Sequence, residues 1–375
     1  MISFWEQQSF TSYSYAVVGS GIVGLSTALA LKEKEPQARV VVLERGLLPT
    51  GASTKNAGFA CFGSLTELLD DLKVMSEEEC LALVTERVKG LEKLRARLGD
   101  EKLDYLNYGG YELIDQEDLE SLDHIDRINT MLSPLFEKPV FTTCNGEIDK
   151  FGFNKDLVPA MTFNQYEGQI NTGEMMKNLL DLAREKGIEV ITGAEVTSLE
   201  EKENHVEVHV APKVTDGFMI KAKKVACCTN AFTGKLLSDL DLSPGRGIVL
   251  VTKPIDNLKF KGVFHSDKGY YYFRNFENRV IFGGGRNMDF EAEETTEFKI
   301  NEVILNNLEE QLKTKILPDT PFEVDHTWAG IMAFGNTKQP ILKQYSKNIS
   351  LGVRLGGMGV AIGSRMGEQL AEMMV

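Results

Sequence analysis

Three glycines and one glutamate within the first 45 residues are spaced as in a site that binds a dinucleotide diphosphate. Gly19 permits a tight turn, Gly21 lets the backbone approach a diphosphate, and Gly24 lets a helix pack closely on a strand. The start of the following helix would offer N–H groups and a positive dipole end to the phosphates. Glu44 stands where a carboxylate can accept hydrogen bonds from ribose hydroxyls.

The predicted elements around these residues follow the order that such a site needs. A β-branched and aromatic run over residues 15–18 enters the turn, a helical pattern follows over 25–34, and a second strand over 39–43 leads into Glu44. This order of elements favours a nucleotide site over a glycine turn that binds no ligand. A longer helical pattern, with leucines three and four residues apart, covers residues 64–98.

The rest of the pattern predicts a nucleotide-binding domain that is assembled from separated pieces of chain. A capped helix is predicted near residues 171–186 and a buried strand near 223–231. Short strands at 247–254, 269–274 and 279–284 indicate a separate antiparallel sheet. The predicted fold class is α/β, with a discontinuous Rossmann-like domain and an α+β second domain. The predicted boundaries are 14–100, 150–240 and 326–375 for the nucleotide-binding domain, 101–149 and 241–325 for the substrate domain, and 1–13 for an N-terminal arm.

Composition excludes several classes of protein. The chain has 375 residues, 42% of them apolar, and a net charge of −14, which argues against nucleic acid as a partner. No apolar run reaches the length of a membrane span, and the N-terminus does not resemble a signal peptide. The five cysteines are scattered without metal-ligand or disulfide spacing, so we expect no metal and a cytoplasmic location. The aromatic arm is expected either to pack on the body or a second copy of the chain, or to fray.

Five segments together resemble the flavoprotein family of D-amino acid oxidase, glycine oxidase, sarcosine oxidase and D-amino acid dehydrogenase. They span nearly the whole chain: G-S-G-I-V-G-L-S-T-A at 19–28, G-A-S-T-K-N-A-G at 51–58, V-A-C-C-T-N-A at 225–231, W-A-G at 328–330 and G-G-M-G at 356–359. The resemblance implies non-covalent FAD as the cofactor. A cysteine tether near the W-A-G segment is excluded, because no cysteine follows Cys228.

The residues that the resemblance assigns to FAD lie in short segments throughout the chain. They are Gly19, Gly21, Ile22, Val23 and Gly24 at the diphosphate; Glu44, Arg45 and Val196 at the adenosine; Ser53, Asn56, Ala57 and Gly58 at the ribityl chain and ring; Thr229, Asn230 and Ala231 on the phosphate side; and Gly356, Gly357, Met358, Gly359 and Val360 at the pyrimidine edge of the flavin. The last segment precedes a helix, whose dipole would stabilise negative charge on the ring, unless its glycines serve packing alone.

For the reaction, the resemblance implies hydride transfer to flavin from the carbon that bears nitrogen in a small amine or amino acid, followed by hydrolysis of the imine. On the predicted strand 269–274, alternation places Tyr272 and Arg274 on one face, where they could orient a substrate carboxylate. Lys55 is a further candidate cation near the flavin. His265 either contacts flavin or substrate or has a structural role, which we favour.

The chain departs from the family at the position of the usual carboxylate-binding arginine, where Met332 follows the W-A-G segment. Either another cation binds the carboxylate (Arg274, Lys55, Arg246 or Arg354), or the substrate is not a simple α-amino acid. Two alternatives therefore stay open, a 2-hydroxy-acid oxidoreductase and a flavin-binding subunit without turnover. The electron acceptor is expected to be oxygen or a quinone, and Ile281, where some relatives have a lysine, favours a dehydrogenase.

Overall fold

The computed structural model describes residues 3–211 and 218–375. Its strands, in chain order, are β1 (Ser12–Val18), β2 (Val40–Glu44), β3 (Phe59–Ala60), β4 (Gly110–Ile114), β5 (Phe141–Thr143), β6 (Ala160–Asn164), β7 (Gly168–Gln169), β8 (Glu189–Thr192), β9 (Val196–Glu201), β10 (Val206–Val210), β11 (Phe218–Cys227), β12 (Ser243–Thr252), β13 (Val263–Ser266), β14 (Tyr271–Phe276), β15 (Arg279–Gly284), β16 (Val324–Phe334), β17 (Ile341–Gln344) and β18 (Ile349–Val353).

The α-helices are α1 (Phe4–Phe10), α2 (Ile22–Lys34), α3 (Ala52–Lys55), α4 (Leu65–Asp71), α5 (Glu77–Leu98), α6 (Asp100–Leu103), α7 (Ile125–Leu132), α8 (Gly146–Phe151), α9 (Thr172–Glu185), α10 (Phe290–Glu293), α11 (Glu302–Gln311) and α12 (Gly359–Met374). Short 3₁₀-helices cover Gln116–His124, Asn230–Lys235 and Arg286–Met288, and a π-helix covers Leu312–Ile316. Within these described residues, no helix combines the length and the apolar character needed to cross a membrane.

The first large sheet contains the predicted nucleotide-binding unit. Its central strands are parallel in the order β18, β11, β1, β2 and β8, with β17 antiparallel at one edge and the β9–β10 hairpin beside β11. Strands β1 and β2 are joined by α2, as a parallel pair requires. The fold class predicted from the sequence is confirmed.

Helix α2 is buried at every position from Ile22 to Leu31, because it lies between the first sheet and helices α9 and α12. Its alanines and leucines favour helix formation. Lys32 and Lys34 in the last turn interact favourably with the C-terminal end of the helix dipole. This packing fixes the start of the helix, and with it the glycine turn.

The second large sheet has the strand order β16, β12, β15, β14, β13, β4, β6 and β5. It is antiparallel, as predicted, except that β4 and β13 are parallel. Alternation along β13 and β14 sorts their side chains into two faces. The rings of Phe264 and Phe273 stack 4.6 Å apart in the core on one face. Their chain neighbours His265 and Tyr272, which are paired across the strands, are therefore on the other face.

The sheets divide the chain differently from the boundaries expected above. Strands β6 and β16 belong to the second sheet, whereas the boundaries 150–240 and 326–375 placed them mostly in the nucleotide-binding domain. The reason is pairing across long sequence distances, since β16 pairs with β12 and β6 with β4. In the arm, α1 is capped by Ser3 and buries none of its residues, and residues 1–2 lie outside the described part.

Candidate active site

A cavity of about 730 Å³ is lined by residues from both large sheets and from both glycine-rich turns. One wall is formed by the starts of α2 and α12 and by the loop that follows β2. The opposite wall is formed by β12, β13, β14 and β16 of the second sheet. Ligands of open α/β sheets bind beyond the carboxyl ends of the strands, and the volume is in the range of small-molecule sites.

The opening glycine turn is shaped for a close approach of a ligand to the backbone. Gly19 has φ +102°, and a Cβ added to Gly24 would lie 1.9 Å from the Gly19 carbonyl oxygen. Helix α2 begins after Gly21, which provides no side-chain cap. The Ile22 N–H donates to Ser53 Oγ at 3.0 Å, while the other first-turn N–H groups lack intrahelical acceptors. These donors and the helix dipole suit a diphosphate.

Glu44 is held rigidly at the end of β2. Its carboxylate accepts hydrogen bonds from the Ser20 N–H (3.2 Å), the Ser20 hydroxyl (2.6 Å) and the Gly46 N–H (2.9 Å). The next residue, Arg45, lies over the ring of Phe232 with its guanidinium carbon 3.7 Å from the centroid. Both residues line the cavity with Val196, so the part expected to hold adenosine is assembled from two separate segments.

Asn56 organises the loop that would contact the ribityl chain. Its side-chain NH₂ donates to the carbonyl oxygens of Ala52 (3.1 Å) and Ser53 (2.9 Å), and its Oδ1 accepts from the Gly58 N–H at 2.9 Å. The Trp328 indole N–H donates to the Lys55 carbonyl oxygen at 2.9 Å. The W-A-G segment therefore supports this loop from the second sheet.

The closing glycine turn resembles the opening one in its chemistry. Gly356 and Gly357 have φ +56° and +86°, which side chains disfavour, and α12 begins at Gly359 without a side-chain cap. The Arg354 N–H donates to Asn230 Oδ1 at 3.0 Å, which joins this turn to the 229–231 segment. Two uncapped helix starts at one cavity fit an extended, negatively charged dinucleotide such as FAD.

Most of the predicted cofactor residues line this cavity. They are Gly19, Gly21, Ile22, Val23, Glu44, Arg45, Ser53, Asn56, Ala57, Val196, Thr229, Asn230, Gly356, Gly357, Met358, Gly359 and Val360. Gly24, Gly58 and Ala231 do not line it. Gly24 instead packs against the turn, as its role in the motif requires.

Tyr272 and Lys55, two of the three residues predicted to act on substrate, also line the cavity. Burial raises the pKa of Tyr272 to about 12, so its hydroxyl stays protonated at neutral pH and can donate a hydrogen bond. The Lys55 ammonium lies 5.4 Å from the centroid of the Phe298 ring. Among residues 3–211 and 218–375, no carboxylate forms a salt bridge with Lys55.

Arg274, the third predicted residue, is placed elsewhere. It does not line the cavity, and its guanidinium donates to the carbonyl oxygens of Ala57, Ile170 (3.0 Å) and Asn275 (3.3 Å). Burial lowers its pKa to about 10. A Cβ added to Gly58 would lie 2.8 Å from this guanidinium, so Arg274 lies directly against the loop that Asn56 organises.

We expect Arg274→Met to lower the FAD content of the purified protein and its melting temperature, because the carbonyl groups of Ala57 and Ile170 lose their donor. The loss of buried hydrogen bonds should cost about 2–4 kcal/mol. Absorbance of the flavin and thermal unfolding measure both effects, and the exposed Arg127→Met is the control. Unchanged FAD content and stability with weaker substrate binding would instead support the role predicted from the sequence.

Arg286 is a functional candidate that the sequence did not reveal. It lines the cavity, and its guanidinium carbon lies 3.9 Å from the centroid of Phe334 and 4.7 Å from that of Phe290. Burial lowers its pKa. In the described part of the chain it has no hydrogen-bonded or salt-bridged carboxylate. The one local signal is that Arg286 directly follows three glycines at the end of β15, while Phe334 is distant in sequence.

The other two cations considered above already have partners. Arg246 forms a buried bidentate pair with Glu293, at 2.8 and 2.7 Å. Arg354 lines the cavity, but its guanidinium is bound by Asp241 and by the Gln339 carbonyl oxygen. Among the cations considered for the substrate, Arg286 and Lys55 line the cavity without a carboxylate partner in the described part of the chain.

A Rossmann-like sheet with two uncapped helix starts, facing a second sheet across one cavity, is typical of a dinucleotide-binding protein. A family model described as FAD dependent oxidoreductase matches residues 14–373, so the chain belongs to this family. It is therefore an enzyme, its cofactor is FAD, and the family predicted from the sequence is confirmed.

The chain is also similar to a curated relative in sequence and to solved structures in fold. L-2-hydroxyglutarate dehydrogenase of Escherichia coli (strain K12) is 25% identical over 242 residues, which are 62% of this chain and 51% of that protein. The match thus spans about half the length of this curated relative. The structure of L-proline dehydrogenase from P. horikoshii has a TM-score of 0.78, with 18% identity, over 97% of this chain and 94% of that one. For glycine oxidase from Geobacillus kaustophilus the TM-score is 0.76, with 18% identity, over 97% and 96%.

Proposed function

We propose that this FAD-dependent enzyme oxidises the C–N bond of a small amine or amino acid that carries a carboxylate, and that Arg286 binds this carboxylate. The observation that carries the proposal is the position of the Arg286 side chain. Arg286 lies at the wall of the cavity, between two aromatic rings and without a carboxylate partner in the described chain. Its planar fork of donors matches a carboxylate.

This assignment also accounts for the departure at Met332. Met332 lines the same cavity, and its sulfur lies 3.8 Å from the position of a Cβ on Gly357. The usual arginine position is thus occupied by an apolar side chain beside the closing turn. Arg286, which follows β15, can supply the positive charge that Met332 on β16 lacks.

The remaining polar groups of the cavity can orient the substrate. Tyr272 offers a protonated hydroxyl, and Tyr270, which follows the turn before β14, also lines the wall. Lys55 adds a second positive charge, which would attract a carboxylate and disfavour an extra ammonium group. Bound FAD supplies a two-electron oxidant that accepts a hydride from substrate carbon. The protein contributes positioning and electrostatics around that transfer.

A second candidate reaction is the oxidation of a 2-hydroxy acid. It is favoured by the similarity to L-2-hydroxyglutarate dehydrogenase over residues that cover 62% of this chain. The carboxylate of a hydroxy acid would bind Arg286 equally well.

Anaerobic titration of the yellow holoenzyme distinguishes the two reactions. We expect a carboxylate-bearing D-amino acid or N-methyl amino acid to bleach the flavin, and the matched amine without a carboxylate to bleach it far less. Bleaching by 2-hydroxy acids alone would establish the second candidate, and no bleaching by either series would contradict both. Subsequent exposure to air measures whether oxygen accepts the electrons.

A further inference from the structure

Three buried side chains at the cavity wall bring their ligand atoms together. The Cys61 thiol, a carboxylate oxygen of Glu167 and a ring nitrogen of His265 all lie within 4.8 Å of one another. Their exposed fractions are 5%, 1% and 4%. Cys61 lies just after β3, Glu167 just before β7 and His265 on β13, so the fold assembles a group that has no local spacing in the sequence.

The imidazole of this group has an unsatisfied nitrogen. Nε2 of His265 lies 3.4 Å from Oε2 of Glu167, yet it has no hydrogen-bond partner within residues 3–211 and 218–375. Buried polar atoms without partners are rare, because each costs free energy. Two ligands at about 2.0–2.1 Å from one tetrahedral ion would be separated by about 3.3 Å. The observed distance between nitrogen and oxygen therefore suits a shared cation.

The surroundings of His265 are short of positive charge. Glu67, Glu112 and Glu167 are all buried, and only Glu67 has an arginine partner in the described chain, Arg87 at 3.5 Å. Buried carboxylates are normally paired or bound to metal, so the site favours a cation.

We propose that Cys61, Glu167 and His265 bind one Zn²⁺ ion at the wall of the cavity. A thiolate, an imidazole and a carboxylate are the donors that zinc accepts in proteins. With a neutral imidazole, the two anionic ligands balance the charge of the ion, which limits the cost of burying it. The proposal does not depend on the substrate proposed above.

The supporting contacts and the position of the group fit an open zinc site. Oε1 of Glu167 accepts a hydrogen bond from the Phe62 N–H at 3.1 Å, which orients the carboxylate as outer contacts do at metal sites. Cys61 and His265 line the cavity, whereas Glu167 does not. With three protein ligands, the fourth position would face the cavity and take water or a substrate atom.

Metal analysis of the purified holoenzyme tests the site. The parent for the test is His209→Ala, since exposed Glu200 and half-buried Glu207 and His209 form a second group that could hold adventitious zinc. After removal of bound metal by a chelator and dialysis against Zn²⁺, we expect about one zinc per chain. X-ray absorption should show one sulfur ligand at about 2.3 Å and lighter ligands at about 2.0–2.1 Å.

Variants assign the metal to the three residues. Cys61→Ser, His265→Ala and Glu167→Gln, each in the His209→Ala parent, should lose the zinc, whereas Cys144→Ser, which changes a half-buried thiol elsewhere, should keep it. FAD content and melting temperature are measured for each variant, so that a misfolded variant is recognised. If a variant misfolds, the X-ray absorption spectrum of the His209→Ala parent decides whether the zinc has a sulfur ligand. Absence of zinc uptake by the parent, zinc retained by all three variants, or zinc without a sulfur ligand would overturn the proposal.

Discussion

Gly21→Val is expected to give a folded protein that is purified without colour. A Cβ at Gly21 would lie 2.9 Å from Ser53 Oγ, the atom that accepts the Ile22 N–H, and the valine methyl groups would extend into the cavity where the diphosphate must approach the backbone. The clash is with the end of a small side chain, so α2 can still form. We expect flavin absorbance to be lost, with a lower melting temperature because bound cofactor no longer stabilises the native state.

The control for this variant is Gly146→Val. Gly146 begins α8, and a Cβ added there meets no atom within 4 Å, so FAD content should not change. Circular dichroism of both variants tests whether secondary structure is retained. A yellow Gly21→Val protein with one FAD per chain would show that the diphosphate does not cross this turn.

Local patterns were sufficient to predict the nucleotide-binding unit. The strand, turn and helix from β1 to α2 are continuous in sequence. The glycines of the turn mark both the end of β1 and the start of α2. The predicted helix over 64–98 is in fact two helices, α4 and α5. The break has a visible cause, since Ser76 and Glu79 form a capping box that starts α5.

The substrate side of the cavity could not be predicted to the same degree, because its contacts join residues far apart in the chain. Alternation correctly placed Tyr272 on one face of a strand, but it could not predict which residues that face contacts. Arg274 reaches carbonyl oxygens of Ala57 and Ile170, and Arg286 lies against Phe334, which no local pattern encodes. The same reason explains why Cys61 and His265 showed no metal-ligand spacing.

Arg286→Gln is expected to weaken the use of substrate strongly while leaving FAD bound. The substitution removes the charge and the bidentate fork but keeps much of the stem that packs between Phe290 and Phe334. Removal of a charge-assisted hydrogen bond from a half-buried site should cost about 2–4 kcal/mol, or roughly 30- to 1000-fold in kcat/KM. Arg286→Lys should have a smaller defect, because it retains the charge.

The design of this experiment separates the loss of carboxylate binding from a general loss of packing. Arg95→Gln is the matched control, because Arg95 lies over the ring of Tyr105 at 4.0 Å and pairs with Asp100 outside the cavity wall. If Arg286 binds the carboxylate, the defect should be large for carboxylate-bearing substrates and small for a matched amine that lacks the group. An equal defect for both substrates would mean that Arg286 shapes the cavity without binding the carboxylate, and Lys55 would then become the cation to test.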